Sequence, residues 1–265
     1  MERREFVTSA MAVAAAAATT LTGMEAWAAA PAAPSSTEFY QLRKYTLRSG
    51  PQTALTENYF AHALIPALNR MAITPVGAFR VDIGPETPTF YLLIPSTSVE
   101  ALVTLDTKLT GDAEFVKAAA AFWAAPGAAP AFERVESSLL SAFAGWPKLT
   151  PPKNTKRIFQ LRIYESPSYA GHVQKVKMFN DAEFAIFLRT GLTPVFFGDA
   201  LIGSRLPSLT YMLTFEDIAQ LNASWSAFIA DPAWKELSSR PEYAGPETVS
   251  NITNLYLSPL DCSQV

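Results

Sequence analysis

The stretch Tyr40-Gln41-Leu42-Arg43-Lys44-Tyr45 is written a second time as Phe159-Gln160-Leu161-Arg162-Ile163-Tyr164, displaced by 119 residues. The same displacement carries Thr74-Pro75-Val76 onto Thr193-Pro194-Val195, Ile83-Gly84 onto Ile202-Gly203, Pro88 onto Pro207 and Asp112 onto Asp231. Coincidences at one constant offset in several separate segments mark an internal repeat. Turn and cap residues match as well as apolar ones, so the repeat is of a whole folding unit. The 265 residues therefore divide into an N-terminal leader and two copies, 38–146 and 157–265, joined by a Pro- and Lys-containing linker at 147–156.

Each copy reads as β-α-β-β-α-β. A strand comes first, Phe39–Leu47 or Ile158–Glu165. A long helix follows. In the first copy it starts at Pro51, a residue suited to the first helical turn, and runs to about Met71, with Pro66 expected to kink it. In the second copy it ends near Thr190, with Gly191 just past its end. Hairpins are expected at Val76–Ile83 with Thr89–Ile94, and at Val195–Ile202 with Leu209–Phe215. Ser98, Asp112, Asp217 and Asp231 stand where helix N-caps are needed. Closing strands fall near Arg134–Phe143 and Ser250–Leu257. The order predicts an α+β fold of two tandem ferredoxin-like units, each an antiparallel sheet with helices on one face. The bare sheet faces must be buried, and each is the obvious cover for the other, which gives a pseudo-dimeric α/β barrel.

Composition narrows the chemistry. One Cys, Cys262, excludes an intramolecular disulfide framework and a zinc ribbon, and two His leave little for a His-rich metal centre. A net charge of -3 gives no basic face for nucleic acid. No phosphate-cradling glycine loop, dinucleotide fingerprint or nucleophile elbow occurs. The expectation is therefore no cofactor and no metal.

Residues 1–28 read as an export signal. Arg3-Arg4 is followed by x-Phe-Val, an alanine-rich core and the small-x-small triplet Ala26-Trp27-Ala28. The arginine pair and mild hydrophobicity resemble a twin-arginine signal, so the expected location is periplasmic or secreted after cleavage near Ala28. Residues 29–37 read as a flexible leader, and no later stretch approaches a membrane span.

The second copy carries longer strings: Glu183-Phe184-Ala185-Ile186-Phe187, Gly191-Leu192-Thr193-Pro194-Val195-Phe196-Phe197-Gly198, Leu206-Pro207-Ser208-Leu209-Thr210-Tyr211-Met212-Leu213, Asp231-Pro232-Ala233-Trp234 and Val249-Ser250-Asn251-Ile252-Thr253-Asn254. Together these resemble the NIPSNAP family in its bacterial tandem form. The first copy fits more loosely, through Gln41–Leu47 and the His62…Pro66 helix. The resemblance implies a dimeric α/β-barrel fold and no generally accepted catalytic residues. Animal members are mitochondrial and linked to vesicle transport and mitophagy signalling, a role that an exported protein cannot inherit directly. Relatives by fold include cofactor-free monooxygenases and haem-binding enzymes, which is analogy alone.

Strand alternation puts Gln41, Arg43 and Tyr45 on one face and Tyr40, Leu42 and Lys44 on the other; Gln160, Arg162 and Tyr164 oppose Phe159, Leu161 and Ile163 in the same way. The wholly apolar face of the second copy is expected to lie under helices. The Gln-Arg-Tyr face is then expected to point between the sheets. There Arg43, Tyr45, Arg162 and Tyr164 could bind an anionic or oxygen-rich ligand, with Phe197 and Tyr211 lining an apolar pocket. A structural alternative pairs each Arg with an acid of its own copy and leaves each Tyr to packing. His62, whose second-copy counterpart is Asp181, is the candidate general base, with packing or exposure as its structural alternative. His172, near a helix start, is a weaker candidate, and Cys262 is expected to be exposed.

Three functions follow. The first is a non-catalytic exported protein that binds a small apolar or aromatic ligand, or a partner protein. The second is a cofactor-free oxygenase or isomerase with His62 as base and the Arg and Tyr residues in one pocket. The third is an oligomerising module whose exposed strands pair between chains.

Overall fold

The repeat folds twice into the same succession of elements in a computed structural model, which describes residues 37–153 and 156–265. The first half runs β1 (Phe39–Thr46), α1 (Pro51–Tyr59), a π turn (Phe60–Leu64), α2 (Ile65–Arg70), β2 (Gly77–Ile83), β3 (Thr89–Ser96), α3 (Val99–Val103), α4 (Leu105–Leu109), α5 (Ala113–Trp123) and β4 (Arg134–Ala142). The second runs β5 (Ile158–Glu165), α6 (Tyr169–Met178), a π turn (Phe179–Glu183), α7 (Phe184–Arg189), β6 (Thr193–Ile202), β7 (Ser208–Phe215), α8 (Ile218–Ala230), α9 (Pro232–Ser238), a 3-10 turn (Pro241–Tyr243), α10 (Gly245–Thr248) and β8 (Asn251–Pro259). The expected export signal lies outside the described residues. No helix among the described residues is long and apolar enough to cross a membrane.

The strands close into one antiparallel barrel in the order β1-β3-β2-β8-β5-β7-β6-β4, with β4 returning to β1. Each half supplies its four strands in the same spatial sequence: fourth, first, third, second. Two seams join the halves. One is β2 with β8, where Phe79 faces Pro259; the other is β4 with β6, where Leu140 faces Ala200. Closure leaves no unpaired strand edge in the barrel, so the expected pairing of exposed strands between chains loses its physical basis.

Local chemistry explains the helix ends. Ser98 Oγ accepts from the Ala101 amide, Asp112 from Phe115, Asp217 from Gln220, and Asp231 from both Ala233 and Trp234. Each bond satisfies an amide that the helix cannot. Gly191 follows the second long helix with φ +81°, and its first-half counterpart, Ala72, adopts φ +59° despite its Cβ. The kink expected from Pro66 is instead a π turn just before it. The same turn recurs at Phe179–Glu183, where Ala185 stands in the place of Pro66, so proline is not its cause.

The interior reverses one sequence expectation. Tyr40, Leu42, Phe79, Leu93, Phe159, Leu161, Phe196 and Leu257 fill the barrel lumen. Tyr45, Tyr164, Phe197 and Tyr211 pack outward, against the helices. Inward-facing side chains from eight strands converge on a narrow space, where a buried Phe stabilises by roughly 1.5–3 kcal/mol. The apolar face of each first strand therefore belongs inside. The polar face is tolerable under the helices because its long side chains reach edges and partners there.

Candidate ligand site at the barrel mouth

One end of the lumen is plugged. Tyr40, Phe159, Phe196 and Val265 are all fully or almost fully buried there. Toward the other end, where the β2–β3 and β6–β7 hairpins turn, the inward side chains become smaller and more polar. A cavity of about 150 Å³ opens between them. Its floor is apolar, from Leu42, Val81, Leu140, Ile163 and Leu255, with the Tyr91 ring beside them. Thr89, Ser138, Ser208, Thr210 and Thr253 line its wall. Lys44, Glu86, Glu136 and Arg205 stand at its rim.

Both halves supply equivalent positions to this mouth. Thr89 and Ser208 are 119 residues apart, as are Tyr91 and Thr210, Lys44 and Ile163, and Glu86 and Arg205. The register matches too: Lys44 faces Glu136 across β1 and β4, and Ile163 faces Thr253 across β5 and β8. The pseudo-twofold axis of the duplication therefore runs through the opening, but the paired residues differ chemically.

The rim charges are partnered. Lys44 Nζ bridges Glu86, on the β2–β3 loop, and Glu136 Oε2 of β4, the latter at 3.4 Å. The Lys44 hydrogen bond, then its charge, holds the Glu86 carboxyl below its ordinary range. Arg205 Nη1, on the β6–β7 loop, donates to Glu165 at 3.1 Å and to Thr253 Oγ1 at 3.2 Å. Burial raises the Tyr91 phenol, and Glu136 and Glu86 raise it further, so it stays a neutral hydroxyl. Thr89 Oγ1 is buried in the wall with no hydrogen-bond partner.

The residues singled out from sequence lie elsewhere. Arg43 is buried on the helix side of β1. Its Nε and Nη2 donate to Gln41 Oε1 at 3.1 and 2.9 Å, and its Nη1 meets Asp106 at 2.9 Å. Arg162 Nη2 donates to Tyr164 Oη at 3.0 Å, and that oxygen lies 2.9 Å from Tyr211 Oη. Its guanidinium sits over Trp225, the counterpart of Asp106. Phe197 stacks on Tyr211 at 4.8 Å in the same outer core. So Arg43, Tyr45, Arg162, Tyr164, Phe197 and Tyr211 face the helices, contrary to the expected placement between the sheets, and none of them lines the mouth cavity. The acid-pairing alternative holds for Arg43, whereas Arg162 finds an aromatic ring in place of the acid.

His62 is exposed on the first π turn and does not line the mouth. Asp181 is likewise exposed and pairs with Lys177. His172 is buried with Nε2 2.7 Å from Asp199 Oδ1. Cys262 is half-buried against the first-half core rather than exposed. Among the described residues no group of three or more His, Cys, Asp or Glu is placed to hold a metal ion.

Sequence reasoning missed the mouth residues and one buried ion pair, Lys175 Nζ with Glu183 Oε2 at 2.9 Å. The signal for the mouth was present: Lys44 breaks an otherwise apolar strand face, and a charge there must reach an opening.

The NIPSNAP family profile matches residues 40–141 and again 159–264. No curated protein matches the chain. Among solved structures, a protein of Fusobacterium nucleatum provisionally assigned as a monooxygenase aligns over 85% of this chain and 94% of its own, at 10% identity and a TM-score of 0.54. A protein of Lactobacillus acidophilus with the same provisional assignment aligns over 84% and 94%, again at 10% identity and 0.54. A NIPSNAP-like domain protein of Burkholderia xenovorans covers 41% of this chain and 89% of its own, at 19% identity and 0.37. At these identities the likeness concerns the fold alone.

Proposed function

The chain belongs to the NIPSNAP family, and on that footing we propose that it binds a small, largely apolar molecule in the mouth of its barrel. The observation that carries this reading is the 150 Å³ cavity with an apolar floor and a wall that carries Thr89, Ser138, Ser208, Thr210 and Thr253. Small-molecule sites combine an apolar lining with a few placed polar groups. An engineered apolar cavity of roughly this size takes up benzene.

The oxygenase alternative asked for His62, Arg43, Tyr45, Arg162 and Tyr164 in one pocket. Their positions on the outer side of the sheet and on an exposed helix do not supply one. In this reading each half is a ferredoxin-like unit, supported by the shared strand order and the constant offset. The chain is exported through the twin-arginine signal at residues 1–28, with cleavage after Ala28, and N-terminal sequencing of the periplasmic protein checks this.

Mass spectrometry of the natively purified, then denatured protein, together with a toluene titration followed by methyl NMR, tests the binding role. The expected result is a co-purified small molecule, or toluene-dependent shifts centred on the methyls of Leu42, Val81, Leu140, Ile163 and Leu255. Ala200→Phe fills the cavity and abolishes both. Absence of any co-purified molecule and of any toluene shift overturns the reading.

A further inference from the structure

Strand order sets which walls of the mouth face each other. β3 and β7 stand four places apart in a closed ring of eight strands, so they lie on opposite sides of the lumen. Tyr91 of β3 and Thr210 of β7 are repeat counterparts, 119 residues apart, and both line the cavity. Alternation turns both inward: Phe90 and Leu92 pack under the helices of the first half and Leu209 and Tyr211 under those of the second, whereas Leu93 and Met212 fill the lumen. The duplication therefore sets a phenol against a threonine across the opening, with Ser208 one inward position before Thr210.

These three hydroxyls are idle. Tyr91, Ser208 and Thr210 are only 6%, 5% and 4% exposed. Their oxygens meet no hydrogen-bond partner among the described residues, yet they are not sealed off as Thr89 Oγ1 is. Since the rest of each residue is buried in the wall, the surface left to these oxygens is that of the cavity they line. The charged groups of the mouth are engaged at the rim: Lys44 with Glu86 and Glu136, Glu86 also with the field of Arg134, and Arg205 with Glu165 and Thr253. Ser138 is half-buried and Ser204 exposed, within reach of bulk water.

We propose that the mouth binds a one-ring molecule carrying hydrogen-bonding oxygens at two opposed ring positions, one meeting Tyr91 and the other the β7 wall at Thr210 and Ser208. This rests on the binding role proposed above and adds the ligand class and the residues that set it. A hydroxyl both donates and accepts. An apolar group that covers it costs the hydrogen bond it made to water, and an oxygen brought opposite it restores one. The cavity of about 150 Å³ holds a single ring, and an eight-stranded barrel has room for one small ligand between its walls. Two oxygens on the same edge of that ring reach only one wall.

Calorimetric titration of the full chain with toluene, 4-hydroxybenzyl alcohol and 2-hydroxybenzyl alcohol tests the proposal. The two isomers carry the same groups on the same ring and differ only in whether these lie at opposite ends. The 4-isomer is expected to bind about fivefold more tightly than the 2-isomer. Tyr91→Phe, and separately Ser208→Ala combined with Thr210→Val, are each expected to weaken the 4-isomer by about fivefold. Toluene, which makes neither bond, is expected to bind both variants as it binds the unaltered chain, which shows that each keeps its cavity. Isomers that bind equally, or a 4-isomer affinity that either variant leaves in place, overturn the two-wall recognition while toluene binding upholds the binding role. Failure of all three probes, toluene included, overturns the binding role itself.

Discussion

Arg162 rests with its guanidinium carbon 4.6 Å from the centre of the Trp225 ring, at the place where the first half sets Arg43 against Asp106 at 2.9 Å. The duplicated strand keeps its arginine in both halves, and the duplicated helix keeps its register, but one half meets the cation with a carboxylate and the other with an aromatic face. Trp225 also donates from Nε1 to Gln160 Oε1 at 2.7 Å, which fixes the ring under the strand. Trp225→Ala is expected to destabilise by about 3 kcal/mol, through lost ring packing and lost cation–π attraction. Asp106 is largely exposed, so Asp106→Asn is expected to cost about 1 kcal/mol or less. Urea unfolding midpoints measure both; equal losses would refute the assignment.

The two left-handed positions after the long helices make opposite predictions. Ala72 pays for its positive φ, and Ala72→Gly is expected to stabilise by about 0.5–1 kcal/mol, the left-handed penalty less the entropy of glycine. Gly191→Ala is expected to destabilise by about 1–2 kcal/mol, since a Cβ there would also stand 2.9 Å from Ser224 Oγ. Thermal midpoints of the two variants should move in opposite directions.

These end positions belong to what the sequence made legible. The 119-residue offset, the caps at Ser98, Asp112, Asp217 and Asp231 and the glycine after the second long helix are local chemistry, readable one residue at a time. The barrel followed from them. The choice of inner face did not. Alternation sorts Phe159, Leu161 and Ile163 from Gln160, Arg162 and Tyr164, but an apolar face suits a helix-covered sheet and a barrel lumen equally well. Only the closure of eight strands decides between them. The mouth residues come from two hairpin loops and all eight strands, so no local spacing announced them.

Lys175 and Glu183 form an ion pair buried at both ends, where the first half has Thr56 and Leu64. Lys175→Met alone leaves an unpaired buried carboxyl and is expected to cost about 3–5 kcal/mol. Adding Glu183→Leu, the residue type of the first half, should recover most of that loss. A double-mutant cycle with purely additive losses would show that the two side chains do not act as a pair.

Acid sensitivity has a defined source. Arg189 bonds to Asp231, and the capped amides of Trp234 and Ala233 reinforce it, so that this carboxyl is lowered from 3.8 to about 2. Asp112, tied to Arg70 in the first half, is lowered in the same direction. A carboxyl whose folded value is depressed stabilises the fold above its unfolded value and loses that contribution as pH falls toward the folded one. Stability is therefore expected to fall between about pH 4 and pH 2. Asp231→Asn should flatten part of that decline, which thermal midpoints across the range will show.

The fusion of both halves into one chain has an electrical consequence at the mouth. An assembly of two identical subunits with a twofold axis through the opening must present every charge twice, so its dipole across the axis vanishes by symmetry. Here Glu86 stands opposite Arg205, and Glu136 opposite Thr253. The opening can therefore sustain a transverse field that would give a bound polar molecule one preferred heading out of two.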